Sequence, residues 1–133
     1  MRKFEFKKTF EEVEIAGKVY KIEFNDDKIR EYQERFHSLG ADVQKLMGVD
    51  EMKLTKEERE KHFEKGKQLI RSVIDMLLGE GSFDELYEKS GRSIINMYDL
   101  VEFLAGIVGE RSVRNREEKR RQYVKPKRRV NQK

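Results

Sequence analysis

Ile70-Arg71-Ser72-Val73-Ile74-Asp75-Met76-Leu77-Leu78-Gly79-Glu80-Gly81-Ser82-Phe83-Asp84-Glu85-Leu86-Tyr87 is the stretch on which the fold turns. Ile70, Val73 and Leu77 recur at helical spacing, and Leu69 and Ile74 widen the face, so this segment reads as the central, most buried helix of the chain. Gly79-Glu80-Gly81 breaks that helix. Ser82-Phe83-Asp84-Glu85 then has the spacing of a capping box, which would open a short helix reaching about Lys89 before Ser90-Gly91 ends it.

Upstream, the same helix extends back through Gly66 and Phe63 to Thr55-Lys56-Glu57-Glu58, a second capping box in which Thr55 and Glu58 can satisfy each other's backbone donors. Its first half is highly charged and its second half apolar. Further back, Ile29, Tyr32, Phe36, Leu39, Val43 and Leu46 follow one another at alternating spacings of three and four. That stripe lies on one helix face and asks for a partner helix. Asn25-Asp26-Asp27 supplies N-cap chemistry and negative charge where this helix should start, and Gly48 is a stop. Gly40 within it costs about 1 kcal/mol relative to alanine and marks a candidate kink. Downstream, Ser93 caps a fourth helix with the stripe Ile94, Met97, Tyr98, Val101, Leu104 and Val108. After Gly109 the periodicity stops.

The first 24 residues read as β structure. Tyr20, Ile22 and Phe24 alternate with Lys21 and Glu23; Val13 and Ile15 alternate upstream, with Ala16-Gly17 as the turn between. Phe4 and Phe6 also alternate, but Phe10 falls out of phase with Val13, so the first strand begins either at Phe4 or only near Glu12. Two strands alone are marginal in water, and this hairpin must pack on helices or pair with another copy. The expected fold is α+β, mainly α: an N-terminal hairpin on about four helices over residues 1–110, then a basic tail over 111–133 that is expected to be disordered and flexible.

Composition agrees. The chain has 133 residues, 42% charged and 36% hydrophobic, enough for one modest core. No apolar run of about 18 residues exists, so a membrane span is not expected, and Met1-Arg2-Lys3-Phe4-Glu5 lacks the apolar stretch of a secretory signal. Cysteine is absent, which fits a reducing cytoplasm. The net charge of +4 averages two unlike parts: from Arg111 to Lys133, eleven Lys/Arg stand against two Glu, a balance of +9, whereas 19 basic and 24 acidic residues before it give −5. The tail, with only Tyr123 as an aromatic, could neutralise nucleic-acid phosphates, dock on an acidic protein surface, or serve as a solubilising appendage. The −5 body would repel a phosphate backbone, which places nucleic acid below a protein partner.

No catalytic constellation emerges. His37 and His62 lie on separate helices and outside any metal-ligand spacing. Gly79-Glu80-Gly81 follows a helix rather than a strand, lacks a following GK[ST], and carries a glutamate that would repel phosphate. No GxSxG occurs. Asp75, between Ile74 and Met76, reads as a polar position on an apolar helix, paired with a lysine or arginine. A binding protein without cofactor or metal is therefore expected, rather than an enzyme.

The segment Ile70–Ser82 followed by Phe83-Asp84-Glu85-Leu86-Tyr87 resembles the tail assembly chaperones of long-tailed (siphovirus-like) phages and prophages. Members often show an apolar helix ending in a D-x-x-L/F-G-E-G break, a short amphipathic helix and a further apolar helix, here Ile94 to Val108. They often begin with a strand pair like Val19-Tyr20-Lys21-Ile22-Glu23-Phe24, and many end in a basic segment to which Asn115-Arg116-Glu117-Glu118-Lys119-Arg120-Arg121 is similar. The resemblance spans residues 18 to 124, and the Phe4–Phe10 extension has no match in it. It implies a non-catalytic protein of the bacterial host cytoplasm that holds the tape-measure protein soluble, recruits tail-tube subunits, and is absent from the mature virion. Ile29, Tyr32, Phe36, Leu39 and Val43 are the candidate contacts for a helical partner, or for a homo-oligomer, and Arg116, Arg120, Arg121, Arg128 and Arg129 those of the tail.

Overall fold

The computed structural model describes residues 1–111; the arginines of the tail named above lie outside them. Strands β1 (Phe10–Ile15) and β2 (Lys18–Glu23) form an antiparallel hairpin, followed by α1 (Asp26–Met47), a single 3-10 turn (Glu51–Lys53), α2 (Lys56–Leu78), α3 (Ser82–Lys89) and α4 (residues 94–111). An N-terminal hairpin followed by four helices is the architecture that the periodicities require. Two units divide the chain, Met1–Val101 and a second beginning at Glu102. Within the second, Leu104 and Val108 are buried and Phe103 is exposed.

The hairpin turns on Ala16 and Gly17, both left-handed at φ +51° and +82°. Positive φ at both central residues gives the backbone twist that matches the flanking strands, and glycine reaches it without a Cβ penalty. β1 starts at Phe10, between the two alternatives that the sequence leaves open. The phase conflict there is resolved by facing: Val13, Ile15, Tyr20 and Ile22 share the core face, while Phe10 lies on the opposite one, with the Lys21 ammonium 4.1 Å from its ring centroid.

Capping chemistry fixes the helix starts. Asn25 accepts the Lys28 N–H at 2.9 Å, and Thr55 and Glu58 exchange both bonds of their capping box at 3.2 and 3.1 Å. Ser93 accepts the Asn96 N–H at 3.2 Å to open α4. α1 runs unbroken through Gly40 to Gly48, whose N–H closes on the Gln44 carbonyl at 3.0 Å. α3 ends in a Schellman arrangement, with Gly91 left-handed at φ +81°, its N–H on the Glu88 carbonyl, and the Arg92 N–H on the Tyr87 carbonyl at 2.9 Å.

The capping box expected at Ser82 does not form. Gly81, left-handed at φ +87°, occupies the N-cap of α3 and has no side chain to offer, while Ser82 is already helical and buried. The Asp75 carboxylate reaches across from α2 and accepts the Phe83 N–H at 2.9 Å. Asp75 is thus the cap of the next helix, and its partner is a backbone amide rather than the lysine or arginine expected. Gly79, at φ +111°, holds a conformation that an L side chain rarely adopts. Asp75, Gly79 and Gly81 together are a structural junction that folds α3 back beside α2.

That junction seats Phe83 and Leu86 in the core with Tyr20, Ile70, Ile74 and Met97; Val13, Ile15, Leu78, Ile94, Leu100 and Val101 pack around them. Phe83 stacks on Tyr87 at 5.5 Å between ring centroids, and Arg71 covers the Phe83 ring while bonding Asp84 at 2.6 Å. Lys18 at the start of β2 bonds both Glu85 oxygens, at 3.0 and 3.2 Å, tying the hairpin to α3. The Glu85 carboxyl is held below the usual carboxylate range by that bond first, against a smaller opposing effect of burial. Among the described residues no helix is long and apolar enough to cross a membrane.

Candidate functional site

The apolar half of α2 buries its stripe in the core, and the charged half leaves part of the same stripe open. Gly66, Ile70, Val73, Ile74 and Leu77 are buried, whereas Phe63, one turn before Gly66 on the same stripe, is 46% exposed. Tyr98 on α4 is 44% exposed although its stripe neighbour Met97 is buried. These two aromatics flank an open groove of about 610 Å³, walled by Val43, Leu46 and Met47 of α1, by α2, and by Ile94 and Tyr98 of α4. α1 stops at Gly48, and the chain crosses to the start of α2 through Val49 and the 3-10 turn, which closes one end.

Gly66 sets the floor. A Cβ added there would stand 3.3 Å from the Tyr98 hydroxyl, close enough that the ring would have to give by a few tenths of an ångström. Met47, 79% exposed, stands at the rim. An unbranched thioether beside two aromatic rings makes an adaptable apolar surface. The polar rim is mainly basic: Arg59, His62 and Lys67 against Glu51, with His62 Nε2 3.7 Å from Glu51 Oε1. Lys67 lies 4.6 Å from the centroid of the Tyr87 ring.

The residues expected to meet a partner divide sharply. Val43 lines the groove, and Ile29, Phe36 and Leu39 are half-buried along α1. Tyr32 has to be removed from that set: it is 1% exposed and packs edge-to-face at 6.1 Å on Phe24, the residue that follows β2. Burial first, then the nearby Glu31 and Glu23 carboxylates, push its phenol up to about 12. Arg116, Arg120, Arg121, Arg128 and Arg129 lie outside the described residues. Phe63, Tyr98, Met47 and Val49 are not singled out as contacts by the sequence. Phe63 carries a signal, being an aromatic in an otherwise charged stretch of helix, but periodicity assigns it to the core.

The groove holds apolar surface, two rings and a basic rim, with no paired carboxylates or activated nucleophile in it. His62 lines it, while His37 is exposed on α1. Among the described residues no group of three or more histidines or carboxylates is placed to hold a metal ion. Comparison with protein-family models, with curated proteins and with solved structures finds no match for this chain.

Proposed function

We propose that this protein is a non-catalytic phage tail assembly chaperone, which binds the tape-measure protein and helps recruit tail-tube subunits in the cytoplasm of the bacterial host without remaining in the mature virion. The observation that carries the reading is the open groove with Phe63, Tyr98 and Met47 unburied at its edges. A tape measure is a long helical protein that exposes apolar stripes until it is enclosed, and an amphipathic helix laid in an apolar groove covers such a stripe. Aromatic anchors commonly dominate the energy of such contacts.

Co-expression with the tape-measure protein encoded nearby tests the proposal. The two should co-purify, and the tape measure should become more soluble. Phe63→Asp and Tyr98→Asp should each weaken capture at least about tenfold, as expected for a central aromatic anchor, while leaving the circular dichroism spectrum unchanged. No co-purification and unchanged solubility would sink the proposal. A nucleic-acid-binding regulator using the basic tail is the alternative. It predicts affinity that falls steeply with salt, and absence of binding at low salt eliminates it.

A further inference from the structure

The positive charge on the groove comes from one helix. α1 lends it Val43, Leu46 and Met47, and α4 lends it Ile94 and Tyr98, so the basic groups Arg59, His62 and Lys67 all stand on α2. Arg59, Phe63 and Lys67 follow one another at steps of four residues. They therefore share one face of α2, a ring between two cations about 12 Å apart along the axis. Neither cation is neutralised among the described residues. The Arg59 guanidinium has no ion-pair partner there, and the Lys67 ammonium rests on the Tyr87 ring rather than on a carboxylate. Glu51, the carboxylate that lines the groove, already faces His62 at 3.7 Å. Glu60 and Glu64 belong to a second depression, which shares Arg59 and Phe63 with the groove and adds Lys56.

Charge decides what fits between them. Residues 1–9 carry Arg2, Lys3, Lys7 and Lys8 against Glu5, and residues 111–133 carry the balance of +9, so both segments have the sign of the groove. Like charge disfavours either as its occupant. We infer, on the reading of the groove as the client surface, that it takes an amphipathic helix of another protein with acidic residues along one flank of its apolar stripe. Two carboxylates seven positions apart lie on one helix face, about 10.5 Å apart along it. Set beside α2, they meet Arg59 and Lys67, while an apolar side chain between them meets Phe63 and the stripe lies against the apolar lining from α1. The rings and the Met47 thioether supply the apolar contact, and the two cations choose among the apolar helices that fit it.

Three synthetic peptides of about 20 residues, long enough to hold a helix, test this against the full chain. They share one leucine stripe at helical spacing and differ only at two flank positions seven apart, filled by glutamate, glutamine or lysine. Fluorescence anisotropy at about 0.05 M salt should rank their affinities in that order, with about tenfold between first and last, and the gap should close near about 1 M salt. Arg59→Glu/Lys67→Glu should reverse the order. Arg59→Glu alone should narrow it, which decides the matter if the double variant misfolds. Lys61→Glu, the same change of charge on α2 at a residue outside the groove, should leave it unchanged. Equal affinity for the three peptides, an order indifferent to Arg59→Glu, or no binding of any of them, as when a second copy or the chain's own basic tail fills the groove, would each overturn the inference. Peptides that rank as expected beside a tape measure that is not captured would remove the chaperone reading alone. A captured tape measure beside peptides that do not rank would remove the acidic flank alone.

Discussion

Replacing Asp75 tests the junction on which the fold depends. Its carboxylate accepts the Phe83 N–H at 2.9 Å in a part-buried setting, at the head of an eight-residue helix whose own N-cap is a glycine with no side-chain bond. Asp75→Ala removes the acceptor. Loss of an N-cap costs about 0.5–2 kcal/mol, and a buried donor left without a partner costs about 1–3 kcal/mol. Part of that donor can reach water here, so the expected loss is about 1.5–2 kcal/mol. For a chain of this size each kcal/mol lowers the melting temperature by about 4 °C, so the shift should be about 6–8 °C. Asp75→Asn keeps an acceptor and loses only the charge–dipole part, worth about 0.3–1 kcal/mol, and should fall between. Thermal unfolding followed by circular dichroism measures the order, and hydrogen exchange at the Phe83 amide locates it. If Asp75→Ala melts within about 1 °C of the parent, and the Phe83 amide exchanges no faster, the cap is not what positions α3.

Three further outcomes rest on local geometry. Gly40→Ala, exposed on α1 with nothing within 4 Å of the added Cβ, should stabilise by about 0.5–1 kcal/mol in chemical denaturation. Ala16→Asn should also stabilise, by up to about 1 kcal/mol, because asparagine tolerates the left-handed φ of +51° better than alanine does. Tyr32, whose phenol titrates near 12 in the fold rather than near 10, stabilises fully below pH 10 and loses that contribution as the pH rises from 10 to about 12. Alkaline unfolding, read by phenolate absorbance and circular dichroism together, should therefore shift to higher pH in Tyr32→Phe.

Much of the fold was legible because its signals are local. Asn25, Thr55 with Glu58, and Ser93 each cap the helix that their spacing predicts, and Ala16-Gly17 turns the hairpin where two alternating runs meet. These are contacts between residues a few positions apart, so a linear reading contains both partners. The Ser82 box misled because Gly81 was free to take the cap position and Asp75, seven residues earlier, was free to reach the amide. Spacing alone cannot rank a local cap against one supplied by the neighbouring helix.

The candidate site was harder to see for the same reason. Periodicity says that Phe63, Tyr98 and Tyr32 each lie on an apolar stripe, and all three do. It cannot say which parts of a stripe another element covers. Packing decided that: Tyr32 is buried with its ring against Phe24, while Phe63 and Tyr98 stay half open on either side of a groove lined by α1, α2 and α4. The stretch from Ile70 to Tyr87 by itself determined a buried helix, a glycine break and a short second helix, since apolar spacing and glycine are local properties. Only the tertiary structure decided that Asp75 caps α3 across the glycine break, and which apolar residues remain for a partner, because burial belongs to the whole assembly of elements and not to any one of them.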